Sequence, residues 1–303
     1  MQDFNSLIDL FKAFPNEQSC IDHLERLRWN DFVVSPFDPT SKVYKCKDNK
    51  YRCKNTGKYF NVKTDTLFDS SKIELRKWFA AIWLVTSHKK GISSLQLSRD
   101  IDVTQKTAWF MLQRIRNCFG IENNDQLGNT VEIDETYVGG KNKNRHADKR
   151  VDNSQGRSVK DKTPVLGMVE RKGKLVARVV KNTSCEVLTP NIVKFVKDAL
   201  IYTDEWWGYN SIKKLFKHDY VNHRSSEYVR GEVYTNTIEG FWSILKRGII
   251  GIYHFTSKQH LQKYVDEFVF RYNTRQYTEC DRFNLLLQNT QHRLTYKTLV
   301  YGC

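Results

Sequence analysis

Three acidic residues stand in contexts that suit metal-assisted chemistry. Asp134 lies in an alternating stretch, Thr-Val-Glu-Ile-Asp-Glu-Thr-Tyr-Val (130–138). Asp204 closes a short apolar run, Leu-Ile-Tyr-Thr-Asp (200–204), and Glu239 lies early in an amphipathic stretch, Asn-Thr-Ile-Glu-Gly-Phe-Trp-Ser-Ile-Leu-Lys-Arg (236–247). Two strand-borne carboxylates and one helical carboxylate can hold a pair of divalent ions, which clamp the attacking and leaving oxygens of a phosphoryl transfer. On a strand, side chains alternate, so Glu132 and Thr136 share the face of Asp134 while Glu135 faces away with Ile133. Glu132 is thus a second possible ligand. Lys246, seven residues after Glu239, returns to nearly the same side of a helix. Asn236 is either an auxiliary ligand or a cap.

The elements that must position these groups follow from periodicity. From residue 130 onward, strands are expected near 131–138, 164–170, 174–181, 200–204 and 219–223. Helices are expected near 185–199, 210–216 and 236–247, and an aromatic-rich helix over 256–277. This order of strands and helices matches an RNase H-like fold. Upstream, 3–14 and 19–29 read as short helices, with Leu7, Leu10, Phe11 and Phe14 as the apolar face of the first. Residues 43–47 and 50–54 read as a hairpin about an Asp48-Asn49 turn, followed by a strand at 58–62. Helices over 73–88, 94–100 and 105–118, the last two capped by Ser93 and Thr104, read as a helix-turn-helix. In the last helix Ala108, Met111, Leu112, Ile115 and Phe119 point inward, while Gln105, Lys106, Gln113, Arg114 and Arg116 point outward. Gln105 and Lys106, at the helix start, suit contact with bases or phosphates.

The bulk numbers narrow the partner. In 303 residues, 49 Lys and Arg stand against 34 Asp and Glu, for a net charge of +15. Such an excess favours a polyanion, since neutralising phosphates releases counterions. No apolar run reaches the roughly 20 residues of a membrane span, and the first residues lack the pattern of a secretory signal. The seven cysteines are scattered, with no Cys-x-x-Cys, which reads as reduced thiols in a cytoplasmic protein. The stretch from Lys141 to Lys162 carries eight Lys and Arg against three Asp and is expected to be an exposed loop that DNA orders.

Taken together, Ile-Asp-Glu-Thr-Tyr-Val-Gly-Gly-Lys (133–141), Tyr-Thr-Asp-Glu-Trp (202–206) and Asn-Thr-Ile-Glu-Gly-Phe-Trp-Ser-Ile-Leu-Lys-Arg-Gly (236–248) resemble the ISXO-type transposases of bacterial insertion sequences, relatives of the eukaryotic Merlin transposons. Lys-Asn-Lys-Asn-Arg-His (141–146), Thr-Pro-Val-Leu-Gly-Met (163–168) and Tyr-Val-Asp-Glu-Phe-Val-Phe-Arg-Tyr-Asn-Thr-Arg (264–275) extend the likeness nearly end to end. The resemblance implies an α/β chain: an N-terminal helical segment (1–30), a zinc-ribbon-like β module (31–70), a helix-turn-helix (71–122), an RNase H-like catalytic domain (130–277) and a C-terminal tail (278–303). It implies Asp134, Asp204 and Glu239 as the catalytic and metal-binding triad, with Mg²⁺ or Mn²⁺. Lys141, Lys143, Arg145, Lys246 and Arg247 join Gln105 and Lys106 as expected DNA contacts. The family's first ligand pair, Cys-Pro-x-Cys, is here Ser35-Pro36-Phe37-Asp38, and the second is Cys53-Lys54-Asn55-Thr56. Three of four ligand positions are lost, so zinc is not expected. Either the hairpin folds without metal, helped by Phe32, Val34, Phe37 and Tyr59, or this module is decaying.

The implied activity is cleavage at element ends and joining of the 3′-hydroxyl to target DNA. The expected partners are terminal inverted repeats, target DNA and further copies of the chain, in the cytoplasm at the bacterial nucleoid, with no membrane. Two rival readings remain: an RNase H-like structure-specific DNA nuclease, and a catalytically inactive DNA-binding regulator derived from a transposase. Terminal inverted repeats flanking the gene would mark a mobile element.

Overall fold

The computed structural model describes residues 3–30, 32–140, 142, 146–152, 158–222, 225, 227 and 229–302. The chain divides into two units, Met1–Phe119 with Gln276–Cys303, and Gly120–Arg275. The second unit is therefore inserted between two parts of the first.

The first unit begins with α1 (Leu7–Ala13) and α2 (Glu17–Trp29), capped by the side chains of Ser6 and Asn16. Strands β1 (Val43–Lys45), β2 (Tyr51–Cys53) and β3 (Tyr59–Phe60) form an antiparallel sheet. Asp48 and Asn49 take positive φ of 58° and 55° at the expected hairpin turn, a conformation these two side chains tolerate. One sheet face is buried by Tyr51, Cys53 and Phe60 against Trp29. Of the side chains expected to support the hairpin, Phe37 packs edge-on against Phe60 with ring centres 6.3 Å apart, whereas Phe32 is 82% exposed and Tyr59 60% exposed, and Val34 is also on the surface. The side-chain alternation that buries Phe60 turns Tyr59 outward.

Hydrogen bonds join the two turns that would carry ribbon ligands. Asn55 Nδ2 donates to Asp38 Oδ2 at 2.8 Å, and Asn55 N to Ser41 Oγ at 3.0 Å. The amides of Phe37 and Asp38 donate to Ser35 Oγ. Burial alone would push the Cys53 thiol up, but hydrogen bonds from Ser35, Ser41 and Thr56 outweigh it and bring it down to about 6.

Helix α3 (Leu75–Ser87) leads to α4 (Ser94–Asp100) and α5 (Gln105–Arg116), whose caps Ser93 and Thr104 accept from Gln96 N and Thr107 N as expected. Gln105 and Lys106 are exposed, and Ala108, Met111, Leu112 and Ile115 are buried. The outward assignment of Gln113, Arg114 and Arg116 is corrected, because all three are buried. Arg114 donates to the carbonyls of Leu67, Asp69 and Leu294, so its charge closes chain ends inside the unit. The periodicity held no sign of this, because the partners are backbone atoms distant in sequence. The terminal residues form α9 (Glu279–Gln288) and α10 (Tyr296–Tyr301). Phe283 packs in a cluster of aromatic rings with Phe4, Phe14 and Phe79.

The second unit is a five-stranded mixed sheet in the order β6-β5-β4-β7-β8. Its strands are β4 (Leu127–Val138), β5 (Thr163–Glu170), β6 (Leu175–Val179), β7 (Val196–Asp204) and β8 (Lys217–Val221). The pairs β4–β5 and β5–β6 are antiparallel, while β4–β7 and β7–β8 are parallel. Helix α6 (Cys185–Phe195) and a 3₁₀ segment (Trp207–Lys214) cover one face through Leu188, Ile192, Phe195, Tyr209 and Ile212. Helices α7 (Asn236–Gly248) and α8 (Leu261–Asn273) cover the other through Ile238, Phe241, Trp242, Leu245 and Val265. Strand β7 begins four residues before its expected start and α6 ends correspondingly early. The β-branched Val196 and the apolar Ala199 and Ile201 of this segment are buried in the sheet core. Among the described residues no helix is long and apolar enough to cross a membrane.

Candidate functional site

Strand β4 carries Val131 and Ile133 into the α6 side of the sheet and Glu132, Asp134 and Thr136 onto the α7 side. The parallel register pairs Glu132 with Tyr202. Two residues further along both strands stand Asp134 and Asp204, neighbours on the same face. Asp204 ends β7, and its Oδ1 accepts from Trp206 N at 3.0 Å in the loop that follows. Glu239 is supplied by α7, one turn from its start.

Close approach of α7 to the sheet depends on a glycine. Gly167 pairs with Asp134 across β4–β5. A Cβ at that position would sit 2.5 Å from Trp242 and 2.8 Å from Ile238. With no side chain in the way, Trp242 lies close enough for its Nε1 to donate to Asp134 Oδ2 at 3.0 Å. Glu239 is held from its own helix start, where Thr235 Oγ1 donates to Glu239 Oε1 at 2.9 Å.

Asp134, Asp204, Glu239 and Lys246 line one cavity of about 340 Å³ with Glu135, Thr136, Trp242 and Ser243. Asp204 is buried at 6% exposure, while Glu239 and Lys246 are exposed. Burial pushes the Asp134 carboxyl well above its usual range, and the negative charges of Glu135 and Asp204 add to the effect. Partial burial lowers the Lys246 ammonium, opposed by Asp134. Glu135 leaves on the opposite face, as alternation requires, and accepts from Tyr209 Oη at 2.6 Å in the buried layer.

Carboxylate oxygens gathered in one cavity are hard donors, suited to a hard cation rather than to a soft metal. Among the described residues, no three His, Cys, Asp or Glu side chains form a group able to hold a metal ion. The donor chemistry therefore fits a metal, while the three carboxylates share a cavity without forming a closed cage.

The other expected DNA contacts are dispersed. Arg247 is exposed on α7 and donates to Ser243. Gln105 and Lys106 lie in the first unit, with Lys106 Nζ 5.7 Å from the centre of the Tyr296 ring. Lys141, Lys143 and Arg145 lie outside the described residues, as do residues 153–157 of the same loop. The holders of the carboxylates were not singled out for that role in the sequence. Thr235 carried a weak signal, a threonine four residues before a helical glutamate. The partners of Glu132, including Arg171, carried none.

Known proteins resemble this chain. Residues 126–273 match the family model described as the ISXO2-like transposase domain, close to the bounds of the second unit. An uncharacterized protein in transposable element ISH50 of Halobacterium salinarum is 29% identical over 276 residues, covering 86% of this chain and 92% of the relative. The resemblance read from the motifs is borne out by both.

Proposed function

We propose, from the match of residues 126–273 to the ISXO2-like transposase domain, that the chain is a DDE transposase. It would cleave DNA at element ends and join the freed 3′-hydroxyl to a target phosphodiester by two-metal phosphoryl transfer. One observation carries this reading: Asp134, Asp204, Glu239 and Lys246, drawn from two strands and a helix, line a single cavity. Asp134, Asp204 and Glu239 would hold Mg²⁺ or Mn²⁺. When bound, the metal would supply charge stabilisation at the phosphorus and activation of the attacking oxygen.

The chain's own groups orient and bind. Trp242 fixes the Asp134 carboxylate, the Trp206 amide fixes Asp204, and Thr235 restrains Glu239. Lys246 offers an ammonium to a DNA phosphate at the cavity, with Arg247 beside it. The antiparallel β6-β5-β4 set continued by parallel β7 and β8 supports an RNase H-like catalytic fold. The capped α4–α5 pair with exposed Gln105 and Lys106 supports a helix-turn-helix. Residues 31–70 would be a ribbon that has exchanged metal for hydrogen bonds. Two element ends must meet in one complex, so a homo-oligomer assembled on DNA in the cytoplasm is the working form.

The test is strand transfer with purified protein, Mg²⁺, labelled DNA bearing the gene's flanking ends and a supercoiled target. Asp204→Asn should reduce joining by about 10³-fold or more, an order-of-magnitude expectation for losing a group that acts only with the others, with DNA affinity little changed. Joining retained by Asp204→Asn would sink the assignment. Cleavage of branched DNA without joining would favour a nuclease, and sequence-selective binding alone a regulator.

A further inference from the structure

Glu132 stands two residues before Asp134 on the same strand face, yet its carboxylate is fully buried and turned to other partners. Its Oε1 accepts from Arg171 Nε at 2.8 Å and from Thr237 Oγ1 at 2.8 Å. Its Oε2 accepts from Thr237 N at 2.8 Å and from Ile238 N at 3.2 Å. A carboxylate offers about four acceptor positions, so these donors fill it. Thr237 and Ile238 are the second and third residues of α7, whose first amides need acceptors from outside the helix. The preceding Thr235 makes no cap with its side chain, its hydroxyl being directed to Glu239. Glu132 caps the helix from the sheet instead.

Arg171 extends the tie. Its remaining guanidinium nitrogens donate to the carbonyls of Glu232 and Tyr234, on the segment entering α7. The guanidinium lies over the Tyr234 ring at 3.5 Å and the Tyr202 ring at 4.8 Å.

We propose that Glu132 and Arg171 form a clasp that sets the position of α7 on the sheet, and so places Glu239 relative to Asp134 and Asp204. Glu132 is a positioning residue and not a metal ligand. The proposal rests on the reading of those three carboxylates as the catalytic set. The geometry is short-range at both ends: the clasp grips β4 two residues from Asp134 and α7 one residue from Glu239. A slip of α7 by a single residue's rise is about 1.5 Å. Ligand distances in a metal site hold within about 0.2 Å, so even a fraction of that slip would degrade the site.

The experiment compares the full-length wild type with Glu132→Gln and Thr237→Val, with Asp134→Asn as the ligand-loss control. Glu132→Gln sets an amide NH₂ against the Arg171 or Thr237 donors. Thr237→Val removes only the hydroxyl donor and preserves the fold. The readouts are Mn²⁺ stoichiometry and affinity by calorimetry, hydrogen exchange across residues 235–242, and the metal dependence of joining. Both variants should bind the wild-type number of Mn²⁺ ions with about tenfold weaker affinity, the usual scale for a group that orients ligands. The start of α7 should lose exchange protection, and joining should recover at high Mn²⁺. Loss of a bound ion in Glu132→Gln, matching Asp134→Asn, would make Glu132 a ligand and overturn the proposal. Unchanged affinity and protection in both variants would overturn it equally. A wild type that binds Mn²⁺ but joins no DNA refutes the catalytic reading, while affinity and exchange still decide the clasp. If the wild type binds no Mn²⁺, unchanged protection in Glu132→Gln overturns the clasp and reduced protection sustains it.

Discussion

His218 lies on β8 beside the strand that ends in Asp204, and its Nε2 is 2.9 Å from Thr203 Oγ1. Its Nδ1 is buried without a hydrogen-bond partner. Burial, reinforced by the Lys213 charge, lowers the ring to about 4. The unfolded chain takes up that proton near pH 6.5, before the folded protein does. Stability is therefore retained above about pH 6.5 and lost as pH falls toward 4. The expected loss is on the order of 1 kcal/mol once partial solvent exposure is allowed for. His218→Gln should flatten the pH dependence of the unfolding midpoint across that window, measured by calorimetry from about pH 4 to 7. An unchanged profile would remove His218 as the cause.

Among the elements, the β1–β3 sheet shows how a small unit holds together without a full set of metal ligands. Its core is little more than Trp29, Tyr51, Cys53 and Phe60, too small to stabilise much alone. The Asp38–Asn55 and Ser41–Asn55 hydrogen bonds cross-link it at the turns. Replacing Asp38 with alanine removes the acceptor of the Asn55 side chain and should lower the unfolding midpoint of the full chain. With no Mg²⁺ or Mn²⁺ in the buffer, a zinc-selective chelator should leave the wild-type midpoint unchanged. A drop on chelation would restore a structural metal to this sheet.

For the whole molecule, the net charge of +15 predicts DNA affinity that falls steeply with salt. The outer face of β1–β3 contributes to that charge. Residues 42–58 hold seven Lys and Arg against one Asp. Tyr44, Arg52 and Tyr59 align across the three strands on that exposed face. Arg52→Ala with Lys58→Ala should reduce the slope of log K against log salt by about 2, since each phosphate left without its cation lowers it by roughly 0.9. An unchanged slope would place the DNA elsewhere.

Read along the chain, adjacent residues were enough to establish the element order of the inserted unit, the hairpin turn at Asp48-Asn49, the caps at Ser93 and Thr104, and the likeness to a transposase family. These are local properties: alternation, helical period, turn chemistry and short motifs are written in near neighbours. The same reading marked Asp134, Asp204, Glu239 and Lys246, whose common cavity required the parallel β4–β7 register and the close seating of α7 over Gly167. The state of the other polar groups emerged only once the chain was folded. Arg114 points inward to carbonyls, Phe32 and Tyr59 point outward, and Glu132 gives its acceptors to Arg171 and the start of α7. For the buried charges the physical reason is the same. Each is settled by whichever distant donors or acceptors the fold brings to it, and those partners leave no periodic trace in the chain.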